Sequence, residues 1–173
     1  MKKLSVGTFY GIIGGVILLL FVVGTYLAGV EVYMSKVVFL GYAIMLLLAA
    51  AAVLTEKKRQ GGFLDLRTGI KTCFTVFVIA LGAQTLFNFL LLNVIDPHFK
   101  QAAWQAVVKN TGDVARRFGM PDDLVEKAVA DQRSNDPYTF GRMLTGLAFY
   151  LIFYFFISLL IAAVVRRKKG TVQ

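Results

Sequence analysis

The sequence contains a single cysteine, a single histidine and only three prolines among its 173 residues. A lone cysteine excludes a disulfide within the chain. Cys73 and His98 together supply fewer ligands than a zinc site needs, so a bound metal would require ligands from a second chain. HExxH, P-loop and GxSxG motifs are also absent from the sequence. We therefore expect no metal site, no cofactor and no enzymatic activity.

Charge is missing from four long stretches of the chain. Residues 4–30, 37–55, 72–95 and 143–165 contain no Asp, Glu, Lys or Arg. A helix of about 20 apolar residues, rising 1.5 Å per residue, crosses the hydrocarbon core of a bilayer. The sequence therefore predicts an all-α integral membrane protein with four transmembrane helices. The predicted membrane domain covers residues 1–173, with spans at about 6–29, 37–55, 70–95 and 140–165.

The formal net charge is +9, and all of the excess falls on one side of the four spans. That side holds both termini and the loop after the second span, whereas basic and acidic residues balance on the other side. Under the positive-inside rule the basic side is cytoplasmic, and so are both termini. We interpret the charge as a topology signal that also contacts anionic lipid of the inner leaflet, and not as a surface for nucleic acid. The predicted lipid contacts are Lys57, Lys58, Arg59, Arg166, Arg167, Lys168 and Lys169.

Glycine is concentrated in the first span. Gly7, Gly11 and Gly15 are four residues apart and therefore lie on one face of a helix. Small residues at this spacing let two helices approach closely within a membrane. This glycine stripe predicts contact with another helix of the same chain, with a second copy of the chain or with a foreign subunit.

Uncharged polar residues recur in the third and fourth spans. An amide in hydrocarbon needs a hydrogen-bond partner, so a polar face should point into the bundle. We predict that the polar stripe of the fourth span faces the polar cluster of the third, either as a structural clasp or as a polar pathway for a small molecule or ion. The cluster is Gln84, Thr85 and Asn88, and the stripe is Tyr150, Tyr154 and Ser158.

The longest polar segment lies between the third and fourth spans. Asp96 and Pro97 suit the start of a helix, and Gly119 suits its end. A second helix would open at Asp122 and Asp123, since acidic side chains are favourable at a helix N-terminus. The sequence thus predicts an extracytoplasmic helical hairpin at about 97–136.

Several short features recur in the order of a known family. They are Gly-Gly-Phe at 61–63, Gly-Met-Pro-Asp at 119–122, Asn-Asp-Pro at 135–137 and Arg-Arg-Lys-Lys at 166–169, after a Met-Lys-Lys start and a glycine-rich first span. With this pattern the chain resembles the DUF4199 family of small membrane proteins, found mainly in Bacteroidota. The resemblance implies a bacterial inner membrane with the hairpin in the periplasm, and it implies no activity.

Three functional classes remain open from the sequence. We favour a structural or accessory subunit that binds another membrane component, or a second copy of the chain, through the glycine stripe or the hairpin. The second class is a small oligomeric permease or channel that uses the polar interior between the third and fourth spans. The third is an accessory to an enzyme of lipid-linked substrates. The absence of charge deep in any span disfavours proton-coupled transport.

Overall fold

The computed structural model describes residues 4–166, and every regular element within that range is a helix. Four helices are long and apolar enough to cross a membrane: α1 (Val6–Leu27), α3 (Val38–Arg59), α4 (Leu66–Leu90, continued by a π-helical turn at Leu91–Ile95) and α7 (Phe140–Val165). The others are α2 (Val30–Tyr33), α5 (Pro97–Arg117) and α6 (Asp122–Ser134). For the described residues, the prediction of an all-helical chain with four helices able to cross a membrane is thereby confirmed.

Helix α4 lies at the centre of the bundle and packs against α1, α3 and α7. Its side chains Val76, Phe77 and Ala80 are fully buried, and Met45 of α3 is fully buried beside them. The outward faces carry large apolar side chains, such as Phe149 of α7, which is 70% exposed. A surface of this kind is stable in lipid, since acyl chains replace water around it.

One end of the bundle, the basic end, holds the start of α1, the end of α3, the start of α4 and the end of α7. Gly69 of α4 lies so close to α7 that an added Cβ would be 2.9 Å from Ala162 Cβ. Asp65 caps α4 by accepting a hydrogen bond from the Thr68 N–H at 3.0 Å. Hydrogen bonds from the hydroxyl and the N–H of Thr68 lower the pKa of the Asp65 carboxyl below its usual value.

The opposite end of the bundle, the hairpin end, holds α2, α5 and α6. Helices α5 and α6 pack on each other as a hairpin, and Gly119 between them has φ = +72°, a left-handed conformation that favours glycine. Trp104 Nε1 of α5 donates a hydrogen bond to the carbonyl of Gln132 in α6 at 2.9 Å. Gly112 permits close packing here, because an added Cβ would lie 3.2 Å from Val129 Cγ2.

Aromatic and polar contacts fix the start of α5 on the bundle. The ring of Phe99 packs edge-on against Tyr26 and Tyr33, with centroid distances of 4.7 and 5.2 Å. Asp96 caps α5 by accepting from the Phe99 N–H at 2.9 Å, and it also accepts from the Tyr26 hydroxyl at 2.9 Å. These two hydrogen bonds lower the pKa of Asp96. The start of α5 therefore lies against the ends of α1 and α2.

Candidate binding sites

The glycine stripe of α1 faces α4. An added Cβ would lie 2.7 Å from the Thr72 carbonyl oxygen at Gly7, 3.0 Å from Ile79 Cβ at Gly11, and 3.6 Å from a side chain of α4 at Gly15. These distances leave no room for a second helix on this face. The stripe therefore packs within the chain, and it offers no open surface to a foreign subunit or a second copy.

The polar cluster of α4 lies toward the hairpin end, but its hydrogen-bond partner is on α2. Asn88 Oδ1 accepts a hydrogen bond from the Tyr33 hydroxyl at 3.2 Å. Burial raises the pKa of Tyr33 well above its usual value, so this hydroxyl stays protonated and can donate. Gln84, by contrast, forms no side-chain hydrogen bond with any of residues 4–166.

The prediction that the whole stripe of α7 faces this cluster is wrong for two of its three members. Tyr154 stacks on Phe77 with a centroid distance of 4.4 Å. Ser158 lies beside Cys73 and donates a hydrogen bond to the carbonyl of Tyr154 within its own helix at 2.7 Å. The reason is that α4 and α7 run in opposite directions. Residues further along α7 than Tyr150 therefore contact residues of α4 that precede Gln84 in the sequence.

A crevice of about 350 Å³ lies between α3, α4 and α7 at the hairpin end, and we call it the α3–α7 crevice. Tyr42 of α3 stacks on Tyr150 of α7 at its side, with a centroid distance of 6.1 Å. A smaller cavity of about 130 Å³, between α1, α3 and α4, is also lined by Gln84 and Asn88. The polar residues that line the α3–α7 crevice are Tyr42, Gln84, Thr85, Asn88, Tyr138, Arg142 and Tyr150.

Apolar side chains fill the bundle beyond the crevice. Leu81 lines the crevice and is 4% exposed. Next toward the basic end come Phe77, Met45 and Tyr154, with exposed fractions of 0, 0 and 5%. The α3–α7 crevice therefore ends inside the bundle against tightly packed rings and aliphatic side chains.

A large open groove lies on the hairpin and was not predicted from the sequence. This hairpin groove between α5 and α6 has a volume of about 790 Å³. Trp104, Val108, Gly112 and Val129 contribute its apolar lining. The charged lining residues are Lys109, Arg116 and Arg133, with a single acid, Asp113. The groove thus combines a hydrophobic surface with an excess of positive charge, a combination that suits an amphipathic anion.

A signal for the hairpin groove is present in the sequence. Gln101, Gln105, Lys109, Gly112 and Arg116 follow one another at spacings of three and four residues, which places them on one face of α5. The apolar residues of α5 form a stronger pattern in the sequence than these polar residues do. The polar face is therefore easily overlooked.

The basic residues predicted to contact lipid divide into three groups. Lys57 Nζ donates a hydrogen bond to the carbonyl of Val165 at 2.8 Å and so satisfies the end of α7. Arg59 forms a salt bridge with Glu56 at 3.4 Å. Lys58 and Arg166 are exposed. The remaining three, Arg167, Lys168 and Lys169, lie outside the described residues.

The chain matches the model of a known family. The model of a family described as "Protein of unknown function (DUF4199)" matches residues 9–167, which confirms the resemblance noted in the sequence. No curated protein matches the chain, and no solved structure does.

Proposed function

Because the chain belongs to the DUF4199 family of proteins of unknown function, we propose a function from the geometry of its own side chains. The protein is an accessory membrane protein whose α5–α6 hairpin binds another membrane component through the hairpin groove. In this proposal the membrane is the bacterial inner membrane, both termini are cytoplasmic and the hairpin is extracytoplasmic, as the charge asymmetry indicates. The proposal gives the chain no catalytic role.

The hairpin groove is the observation that carries the proposal. Tryptophan and arginine are enriched where proteins bind each other, since they supply contact area together with hydrogen bonds. Trp104 is held in one orientation by its hydrogen bond to Gln132, so little side-chain freedom is lost on binding. Lys109, Arg116 and Arg133 add positive charge around it. A complementary partner segment presents an apolar side chain next to carboxylates.

The attachment of α5 to the bundle supports the same function. Phe99 and Asp96 hold the first turn of α5 against Tyr26 of α1. The groove consequently has a fixed position relative to the membrane. Because no loop has to become ordered, binding of a membrane-anchored partner loses little conformational entropy.

The other functional classes receive less support. A permease needs a route through the bundle, and the buried side chains of Phe77 and Tyr154 fill the bundle beyond the α3–α7 crevice. Binding of a foreign subunit to α1 is disfavoured because α4 covers the glycine stripe. An enzyme of lipid-linked substrates is compatible with this proposal, since it would be one possible kind of partner for the hairpin groove. In the same proposal, anionic lipid contacts the basic end of the bundle.

The test uses the full-length protein in its native membrane. Gln105, an exposed residue of the hairpin groove, is replaced by the photo-cross-linking residue benzoylphenylalanine. The double variant Lys109→Glu/Arg133→Glu reverses charge in the groove, and Lys127→Glu reverses an exposed lysine of α6 outside it. We expect one cross-linked partner that is lost in the double variant and kept in Lys127→Glu. An adduct that survives the double variant, or no adduct in any background, contradicts the proposal.

A further inference from the structure

The α3–α7 crevice is open at the surface of the membrane-spanning bundle. Tyr150, which lines it, is 52% exposed and lies in the first half of α7. Gly146, one turn earlier on α7, leaves the wall of the crevice incomplete, because an added Cβ there would meet no atom within 4 Å. An opening at this position on a transmembrane helix faces lipid.

Hydrogen-bonding groups in the crevice lack partners from the chain. Gln84 has none among residues 4–166, and Asn88 uses only its carbonyl oxygen, toward Tyr33. Arg142 makes one long hydrogen bond of 3.5 Å to the carbonyl of Asn135, and no salt bridge with another described residue. Acyl chains cannot satisfy the amides of Gln84 and Asn88, and polar groups in hydrocarbon are costly when they are left alone.

We propose that the α3–α7 crevice binds the headgroup of an anionic glycerophospholipid from the leaflet at the hairpin end. The phosphate lies against Arg142, and hydroxyl groups of the headgroup form hydrogen bonds with the side-chain amides of Asn88 and Gln84. The acyl chains leave the crevice past Tyr150 and Gly146. This site is separate from the hairpin groove, so it does not depend on the function proposed above.

Charge and hydrogen-bond chemistry select this class of lipid. Arg142 is the one ionisable cation or acid that lines the crevice among the described residues, so the site carries a positive charge and no carboxylate. A guanidinium binds a phosphate through charge-assisted hydrogen bonds. A choline headgroup brings a second positive charge for which the crevice has no counter-charge, whereas a glycerol headgroup offers hydroxyls that pair with amides.

Native mass spectrometry of the full-length protein in detergent tests the site. The probes are phosphatidylglycerol, phosphatidylcholine and soluble glycerol phosphate. Arg142→Gln removes the charge, and Gly146→Leu fills the crevice. Gly24→Leu is the matched control, because it adds the same side chain at an exposed glycine of α1 where an added Cβ also meets no atom within 4 Å.

We expect the affinity for the tightest-bound phosphatidylglycerol to fall at least about tenfold in Arg142→Gln and Gly146→Leu, and to be unchanged in Gly24→Leu. Gln84→Leu removes no internal hydrogen bond, so it should weaken binding without lowering the temperature of thermal unfolding. Equal affinity in all variants would overturn the proposal. So would equal binding of phosphatidylcholine, or displacement of the lipid by glycerol phosphate at matched concentration.

Discussion

Lys100 and Asp136 form a salt bridge that joins the first turn of α5 to the segment that leads into α7, with Nζ and Oδ2 separated by 2.5 Å. Both side chains are about one-fifth exposed, at 19% and 20%. Lys100 also donates a hydrogen bond to Asn93 Oδ1 at 2.8 Å, and Asn93 Nδ2 donates to the carbonyl of Tyr138 at 3.0 Å. These bonds connect the end of α4, the start of α5 and the approach to α7, and they close the base of the hairpin.

Removing one partner of this salt bridge should loosen the hairpin. Lys100→Met leaves the Asp136 carboxylate partly buried without its counter-charge, and we expect a loss of about 2 kcal/mol in the free energy of unfolding. Thermal unfolding in detergent measures the loss. Lys100→Met/Asp136→Asn should cost less than the two single substitutions added together. Strict additivity would show that the pair is not coupled.

The close packing of α1 on α4 predicts opposite effects for two glycines of the same helix. Gly7→Ala places a Cβ against the backbone carbonyl of Thr72, and we expect it to lower the free energy of unfolding by about 1–3 kcal/mol. Gly24→Ala adds its methyl group to open space and should be neutral, or stabilise by up to about 1 kcal/mol through helix propensity. Equal effects in a denaturation series would contradict the assignment of the stripe to the α1–α4 contact.

The charge-free stretches are the strongest signal in this sequence, and they lead directly to α1, α3, α4 and α7. Short elements without a periodic pattern, such as α2 and the π-helical turn at Leu91–Ile95, depend on tertiary contacts and could not be predicted. Tyr33 of α2 is therefore the partner of Asn88 that sequence reasoning misses. The hydroxyl of an isolated tyrosine outside the spans gives no indication that it turns back into the bundle.

The mistaken pairing of the polar residues has a different origin. Four-residue spacing relates Gln84 to Asn88 and Tyr150 to Tyr154, but such spacing identifies only the faces of single helices. Two consecutive spans run antiparallel, so the stripe that continues from Tyr150 to Tyr154 runs away from Asn88 toward the basic end. The antiparallel direction of the two spans can be deduced from the sequence. The exact register, which brings Phe77 against Tyr154, cannot be deduced from it, because it depends on side-chain packing.

Asp96 makes the start of α5 sensitive to acid. Its carboxyl accepts hydrogen bonds from the Phe99 N–H and the Tyr26 hydroxyl, and these lower its pKa in the folded protein. A lowered folded-state pKa contributes stability above the unfolded value of about 4 and loses it as the pH falls toward the folded value. Asp96→Asn retains a hydrogen-bond acceptor but gains no proton, so its thermal stability should decline less between about pH 5 and about pH 3.

A companion substitution checks the cause of this pH dependence. Tyr26→Phe removes one of the two hydrogen bonds to Asp96 while it keeps the ring that packs on Phe99. We expect the acid-dependent loss of stability in Tyr26→Phe to be intermediate between those of the unmodified protein and Asp96→Asn. If the unmodified protein and Asp96→Asn lose stability equally as the pH falls, the role given to the Asp96 carboxyl is contradicted.

Gln84 and Asn88 are one helical turn apart on α4, yet their substitutions should have different consequences. Asn88→Leu removes the acceptor of the Tyr33 hydroxyl, and we expect a loss of about 1 kcal/mol in the free energy of unfolding. Gln84→Leu removes no internal hydrogen bond and increases apolar contact, so the free energy of unfolding should stay the same or rise. Tyr33→Phe tests whether the loss in Asn88→Leu comes from the Tyr33–Asn88 hydrogen bond. If it does, Tyr33→Phe should have no further effect in the Asn88→Leu background. If Gln84→Leu destabilises the protein as much as Asn88→Leu, both amides belong to a structural clasp and Gln84 is not available to a ligand.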